Sequence, residues 1–219
     1  QKIELLKEKR TSLINHCVTK GLNPNVEMKD SGVEWIRDIP SHWILPKLNY
    51  ISSKITDGEH ISPKFTDYGI PFLSSKDVRE TGVDINVSKF VSEEDSVKMR
   101  KRCNPEFGDV LVVGRGNSIG RISIVNTKKI FSLLGSVILI KHNTERVLNK
   151  YLFYYLQSPK VFQQLINTSS HSVQPTIYLE GIKNQIIILP TKEEQTQIVE
   201  YLDEQTQKID STIEKETQR

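Results

Sequence analysis

The two ends of the chain carry a helical repeat that restricts the possible folds more than any other feature. Residues at alternating spacings of three and four positions form one stripe in residues 1–21 and another in residues 191–219. Such a stripe is the packing seam of a helix that requires a partner helix. The stripes predict helical segments over 1–21 and 191–219 and a subunit interface formed by Ile3, Leu6, Leu13, Val199, Leu202, Ile209 and Ile213.

The two stripes also continue one another in sequence. When Gln218-Arg219 is superimposed on Gln1-Lys2, the heptad spacing of the last helix runs into that of the first without a break. This predicts one unit of a repeating helix–domain–helix protein, whose seam a neighbouring repeat or copy completes. Two unrelated amphipathic helices are the alternative, because the stripes also contain the polar residues Arg10, Thr206 and Glu216.

Charge is distributed unevenly along the chain. Residues 192–219 hold four Lys/Arg and eight Asp/Glu, whereas residues 96–150 hold eleven Lys/Arg and three Asp/Glu. A basic middle favours a polyanionic partner, and an acidic helix favours contact with protein. A merely solvated surface is the alternative that charge alone leaves open.

Cysteine content and hydropathy restrict the compartment. Only Cys17 and Cys103 occur, which provides no disulfide framework, and we expect both as small buried hydrophobic residues. No apolar run approaches the roughly 18 residues that a membrane span requires, and the charged first residues do not resemble a signal peptide. We therefore expect a cytoplasmic protein without membrane contact.

Between the end helices the pattern predicts an α+β domain over residues 22–190. Short strand-like runs alternate with Gly and Pro turn signals from residue 48 to 142, and the clearest strands are 110–113, 121–125 and 136–140. Helical patterns follow at 148–156 and 161–166, then a helix or turn at 178–184 and a strand at 185–189. The sequence predicts an irregular connector over residues 21–46, which Trp35, Ile39 and Trp43 hold against this domain. It also predicts a capping box at the start of the last helix, formed by Thr191 and Glu194.

Residues 114–121 form a glycine-rich segment that invites a nucleotide-binding interpretation. Its glycines follow the pattern G-x-G-x-x-x-G, and the residues after it alternate like a strand, whereas a dinucleotide fingerprint must open a helix. A β-hairpin is the better interpretation. Arg and Asn make bidentate contacts to guanine and adenine edges, so its polar tip suits DNA; a plain solvated hairpin is the alternative. The tip residues are Arg115, Asn117, Ser118 and Arg121.

Enzyme chemistry has little support in the sequence. Asp57, Glu59 and His60 share one polar loop and could form a catalytic or metal-binding cluster. However, the five histidines show no metal-ligand spacing, and neither a G-x-S-x-G nor a Walker motif occurs. We therefore expect neither a catalytic residue nor a metal ion in this chain.

Four motifs then carry a resemblance to a known family. The helical Leu-Lys-Glu-Lys-Arg-Thr-Ser-Leu-Ile begins at residue 6, and Asp-Ser-Gly-Val-Glu-Trp-Ile-x-x-Ile-Pro-x-His-Trp occupies residues 30–43. Asp-Gly at 57–58 precedes Gly-Ile-Pro-Phe-Leu-Ser-Ser-Lys-Asp-Val at 69–78, and Leu-Pro-x-x-x-Glu-Gln-x-x-Ile-Val-x-Tyr-Leu-Asp occupies 189–203. In these motifs and their order, the chain resembles the specificity subunits of type I restriction–modification enzymes, the HsdS family.

The resemblance implies a fold and a division of labour. It implies a β-rich target recognition domain with peripheral helices, and long helices, conserved in that family, that form an antiparallel coiled coil. Each recognition domain of the family reads one half of a split target in double-stranded DNA, and the helices set the gap. The family is bacterial and archaeal. Its modification subunits carry S-adenosylmethionine and its restriction subunit uses ATP and Mg²⁺, so we expect no cofactor in this chain.

The predicted function is therefore a non-catalytic specificity subunit. Its expected partners are double-stranded DNA, modification subunits, a restriction subunit, and a second specificity half or a second copy of itself. A scaffold that does not touch DNA, and a methyltransferase or nuclease in its own right, are the alternatives. From their chemistry, the predicted DNA-binding residues are Lys54, His60, Lys64, Ser75, Lys76, Arg115, Asn117, Ser118, Arg121, His171 and Gln174.

Overall fold

The computed structural model describes residues 1–87, 89–167 and 175–218. Helices and strands are mixed along this chain, which confirms the predicted α+β class. Among the helices of the described residues, none combines the length and apolar character that crossing a membrane requires. The helices are α1 (Lys2–Lys20), α2 (Glu93–Arg102), α3 (Asn149–Leu156), α4 (Pro159–Asn167), α5 (Leu179–Asn184) and α6 (Lys192–Thr217).

Short strands are the main secondary structure in the part of the sequence between α1 and α3. The strands are β1 (Met28–Asp30), β2 (Asp38–Pro40), β3 (Ser52–Asp57), β4 (Ile70–Leu73), β5 (Val78–Arg79), β6 (Gly82–Val83), β7 (Phe90–Val91), β8 (Val110–Val113), β9 (Ile122–Ile124), β10 (Ser132–Leu133) and β11 (Val137–His142).

A four-stranded antiparallel sheet forms the centre of the domain. Its order is β3-β11-β8-β9, with Val110 opposite Ile140 and Val112 opposite Ile122. A second sheet has the order β10-β4-β7, in which β10 and β4 are parallel and β4 and β7 antiparallel. The hairpins β1–β2 and β5–β6 are separate two-stranded sheets.

Both faces of the central sheet are covered. Val110 and Val112 of β8 belong to a large core cluster that includes residues of α1, α3 and α6, while Leu111 and Val113 belong to a second cluster with Leu73 of β4. Because alternate residues of a strand point to opposite faces, burial on both faces explains why β8 and residues 137–140 of β11 are continuous apolar runs. The strands predicted at 110–113, 121–125 and 136–140 are confirmed.

The end helices are confirmed, and they pair with each other in antiparallel orientation. Lys2 forms an ion pair with Glu216 (2.9 Å) and Arg10 with Asp210 (3.1 Å), so numbers rise along α1 as they fall along α6. Within this chain the two stripes therefore lie side by side, and the end-to-end continuation into another repeat or copy stays a prediction. The N-terminal capping box of α6 is present as predicted.

Burial along the helical pair decreases towards its outer end. Val199, Leu202 and Ile209 of the predicted interface are buried, whereas Ile213 at the outer end of α6 is half-buried. Ile3, Leu6 and Leu13 of α1 are half-buried as well. The inner ends of both helices share the large core cluster with the domain, so packing runs across the predicted boundaries at residues 21 and 191.

The connector after α1 is pinned as predicted, but the strand predicted at 185–189 is wrong. Ile39 and Trp43 are buried, and Trp35 packs against the same core. Residues 185–189 form single bridges to the connector, Ile44 to Leu189 and Lys47 to Ile186. Pro46 lies between these bridges and has no N–H to donate, which explains why no continuous ladder forms.

Candidate nucleic-acid interface

The glycine-rich segment 114–121 is the connection of a β-hairpin, as predicted. It joins the antiparallel strands β8 and β9, so a strand and not a helix follows it. Gly116 (φ 99°) and Gly120 (φ 79°) have left-handed backbones that favour glycine. A Cβ on Gly120 would also lie 2.0 Å from the Phe162 ring, which shows how closely α4 packs against the hairpin.

The four polar residues of the hairpin divide into two pairs. Arg115 and Asn117 are exposed at the tip. The Ser118 hydroxyl donates to the carbonyl oxygen of Ser75 (3.2 Å), and the Arg121 guanidinium donates to that of Val78 (3.0 Å). Ser118 and Arg121 therefore hold the hairpin against residues 75–78. Arg115 and Asn117 form no hydrogen bond or ion pair with another residue of the part of the chain that the structure describes.

Residues 74–79 place Ser75 and Lys76 beside the hairpin. An added Cβ at Gly116 would lie 3.2 Å from the Ser75 hydroxyl, so Ser75 directly adjoins the hairpin tip. The Asp77 carboxylate accepts from the backbone N–H and the hydroxyl of Ser74, both at 2.8 Å, and fixes this turn. Lys76 is exposed on it.

A groove lies on the other side of this turn. Its cavity measures about 440 Å³. Three cations and two carboxylates line it, together with polar and aromatic side chains, so it offers hydrogen-bond donors, acceptors and flat apolar faces. The lining residues are Ser62, Pro63, Phe65, Phe72, Ser74, Lys76, Asp77, Arg79, Asp84, Asn86, Val87, Lys89 and Leu134.

The far wall of the groove is the loop of residues 58–69, which carries His60 and Lys64. His60 Nε2 lies 2.8 Å from Asp57 Oδ2, and Arg102 of α2 also pairs with Asp57. A Cβ on Gly58 would lie 2.2 Å from the Leu133 carbonyl oxygen, so only glycine fits where the loop leaves β3. These contacts explain the Asp57-Gly58 motif as the anchor of the loop.

The carboxylates of this loop, which could form a catalytic or metal-binding cluster by sequence, already have partners in the fold. The Glu59 carboxylate accepts from the backbone N–H groups of His60 (3.0 Å) and Ile61 (3.2 Å), and the Asp57 carboxylate is occupied by His60 and Arg102. Within residues 1–87, 89–167 and 175–218, no three or more His, Cys, Asp and Glu residues are grouped so as to hold a metal ion.

Not every predicted DNA-binding residue lies on this face. Lys54 is exposed on β3 opposite Lys141 and is not among the residues that line the groove. His171 and Gln174 lie outside the described residues. The structure therefore brings together Lys64, Ser75, Lys76, Arg115, Asn117, Ser118 and Arg121, with His60 at the base of the loop.

Sequence reasoning missed part of the groove. Arg79 and Lys89 line it, and the Lys89 ammonium lies 4.7 Å from the centre of the Phe65 ring. A cation over an aromatic face is favourable, but Phe65 and Lys89 are far apart in sequence. No local pattern connects them, because their contact depends on the bridge between Thr66 and Phe90, the residues that follow them.

Burial dominates the electrostatics behind the face. It raises the pKa of Cys103 to about 12 and that of Cys17 to about 11, so both are buried neutral thiols, as predicted. Burial also raises the pKa of Asp109, although Lys141 at 2.7 Å opposes the shift. These groups therefore support the sheet and are not reactive groups of the face.

The sequence motifs at 30–43 and 189–203 meet at the Glu194 side chain. The Glu194 carboxylate accepts from Trp43 Nε1 (3.1 Å), lies 2.9 Å from His42 Nε2 and also accepts from the Thr191 hydroxyl in the capping box. Burial raises the pKa of Glu194, but the hydrogen bonds from these partners outweigh it and hold the pKa below its ordinary value. Gly21 packs against the Trp43 ring, so α1 joins the same contact.

Comparison with known proteins gives a consistent family. Residues 47–219 match the family described as "Type I restriction modification DNA specificity domain". The specificity subunit of the type I restriction enzyme EcoBI of Escherichia coli is 30% identical over 148 residues, covering 68% of this chain and 31% of that protein. The EcoKI specificity subunit of E. coli strain K12 is 28% identical over 190 residues, covering 84% of this chain and 40% of that protein. This chain therefore spans less than half of either relative.

Solved structures share the fold. The HsdS subunit of Thermoanaerobacter tengcongensis aligns with a TM-score of 0.65 at 17% identity, over 98% of this chain and 46% of that one. A chain from a structure describing complex assembly and conformational transition of a type I R-M system aligns with a TM-score of 0.72 at 18% identity, over 99% of this chain and 48% of that one.

Proposed function

The chain belongs to the type I restriction–modification DNA specificity family and contains one target recognition domain, and from this premise we propose that it reads one half of a bipartite target in double-stranded DNA. The face formed by the hairpin tip, residues 74–79 and the loop 58–69 would lie on the duplex. Its cations would contact phosphates and position the domain, and Arg115 and Asn117 would contact base edges.

One observation carries this proposal: segments far apart in sequence converge on a single face. Ser118 and Arg121 bind the 75–78 backbone, Lys76 lines the groove behind it, and Lys89 lies over Phe65 on the far wall. A merely solvated hairpin would need no such support. Exposed Arg and Asn side chains on a hairpin backbone that is held in place are suited to specific readout of a duplex.

We further propose that the chain is non-catalytic and acts through partners. Modification subunits would supply S-adenosylmethionine chemistry, and a restriction subunit would supply ATP- and Mg²⁺-dependent translocation and cleavage. The acidic exposed side of α6 and the half-buried outer residues Ile3, Leu6 and Ile213 are the surfaces that suit protein contact. A second copy, or a second specificity half, would read the other half-site.

A substitution at the hairpin tip tests base reading. We expect Arg115→Ala to weaken binding to the specific duplex by about 1–3 kcal/mol, roughly 5- to 150-fold, because a bidentate base contact is lost. Binding to random duplex should change less. The matched control is Lys208→Ala, which removes one positive charge from the exposed side of α6 and should leave the specificity ratio unchanged.

The measurement is a titration of specific and random duplex at two salt concentrations. Phosphate contacts give affinity that falls with salt, whereas a scaffold that does not touch DNA shows no binding to lose. Equal loss on both duplexes in the Arg115 variant would mean that the hairpin contacts only phosphates. Methylation by the isolated chain with S-adenosylmethionine and DNA would contradict the non-catalytic assignment.

A further inference from the structure

The loop 58–69 exposes apolar side chains beside the groove. Tyr68 is 84% exposed and Ile61 77% exposed, more than any other large hydrophobic side chain of the described residues. Phe65, between them in sequence, is 41% exposed and lines the groove. Exposed apolar groups that gather on one loop indicate a contact surface, whereas single exposed residues scattered over a surface do not.

The loop is held at both ends, so these side chains are presented by an ordered backbone. Glu59 donates its N–H to the Leu133 carbonyl oxygen (2.7 Å) and accepts from the Gly135 N–H (2.7 Å). At the other end Thr66 donates its N–H to the Phe90 carbonyl oxygen (3.0 Å), and its hydroxyl donates to the carbonyl oxygen of Tyr68 (2.8 Å). The backbone that carries the exposed side chains therefore requires little ordering on binding.

Charges of both signs surround the loop. Lys64 is exposed on it, Lys89 lies over Phe65, and Lys76 and Arg79 line the groove. Asp67 is also exposed on the loop, and Asp77 and Asp84 also line the groove. The cations among these groups can contact phosphates, as the proposed function requires. On duplex DNA the apolar group available to a protein in the major groove is the 5-methyl group of thymine, which Ala, Thr or Phe side chains contact in other proteins.

We propose that Ile61 and Tyr68 contact thymine methyl groups, so that the loop adds an A·T preference to the half-site. This inference rests on the proposed function, since it requires that this face lies on the major groove. It adds two specificity-determining residues on a loop distinct from the hairpin. Base edges would be read at the hairpin tip by hydrogen bonds and at the loop by apolar contact.

The test compares two pools of randomised duplex, one made with thymine and the other with uracil, which lacks only the methyl group. The full chain selects from each pool, and the enriched sequences are read. We expect the same half-site from both pools, with preference at one or two A·T positions weaker by about fourfold in uracil, which corresponds to about 0.8 kcal/mol per buried carbon.

Variants assign the effect. Ile61→Ala or Tyr68→Ala should remove the thymine–uracil difference at one position, whereas Arg115→Ala should change a different position and keep that difference. Both loop residues are exposed, so these variants are expected to fold. Enrichment without any thymine–uracil difference would overturn this inference alone. Loss of modification-subunit binding with unchanged selection would assign the loop to a protein partner and also overturn it. No enrichment from either pool would overturn the proposed DNA function itself.

Discussion

Leu202 and Ile213 lie on one stripe of α6 but differ in burial, and a substitution at each separates packing within the chain from contact between chains. Leu202 is 0% exposed and belongs to the large core cluster. Replacing a buried Leu with Ala costs about 2–5 kcal/mol through lost burial and the cavity left behind. For a chain of this size 1 kcal/mol lowers the Tm by roughly 2–4 °C, so a loss of about 3 kcal/mol predicts a decrease of roughly 6–12 °C.

Ile213→Ala is the matched control on the same helix. Ile213 is only half-buried, at the outer end of the helical pair, so less apolar area is lost from the chain. We expect less than about 1.5 kcal/mol of destabilisation there. The outer end is where a second helix can reach the stripe, so Ile213→Ala should weaken assembly while it leaves the Tm nearly unchanged.

Thermal unfolding and urea unfolding of both variants, with sedimentation of the assembled complex, distinguish the two effects. The urea m-value should be unchanged, since the same surface is exposed on unfolding. A Leu202→Ala chain that keeps its Tm but no longer assembles would contradict the prediction that Leu202 packs within its own chain. Leu202 would then face another subunit, as the helical stripe alone suggests.

Two further predictions concern polar side chains that the fold buries. Gln195 is buried and accepts from the Leu148 N–H (2.8 Å) while it donates to the carbonyl oxygens of Arg146 (3.1 Å) and Pro190 (3.0 Å). Gln195→Met should lower the free energy of unfolding, measured with urea, by about 3 kcal/mol or more, because each buried group left without a partner costs about 1–3 kcal/mol. A loss no larger than that of Thr196→Ala, at the exposed neighbouring position, would contradict this prediction. Burial lowers the pKa of His142 below its ordinary 6.5, so the unfolded state binds the proton first and stability should fall as pH falls through 6.5 towards the folded pKa. The His142→Asn chain should lose that part of the pH dependence, and an identical pH profile of the two chains would remove His142 as its source.

Local patterns predicted those parts of the molecule that local interactions determine. The end helices, their capping box and the hairpin at 114–121 follow from periodicity and glycine spacing within a few residues. The groove could not be predicted this way, because Phe65 and Lys89 meet only through the bridge between Thr66 and Phe90. The pairing of Asp57 with Arg102 likewise joins residues on separate elements.

Residue chemistry alone did not predict which polar groups already have partners in the fold. Ser118 and Arg121 have suitable polar groups for DNA, and the fold also uses them to hold residues 75–78. Lys54 has a suitable charge and is exposed, but it lies on β3 opposite Lys141 and not in the groove lining. The sequence indicates what a side chain can bind, and tertiary packing decides where that side chain lies.

The most direct test of the account is a map of methylated adenines in a genome where the chain is expressed with its modification subunit. If two copies of this chain act as a symmetric pair, identical domains must read identical half-sites in opposite orientation. Methylation is then expected at an interrupted palindrome, and Arg115→Ala should weaken the base preference at the same position of both half-sites. Adenine methylation that does not depend on this chain, or a continuous target without a gap, would contradict it.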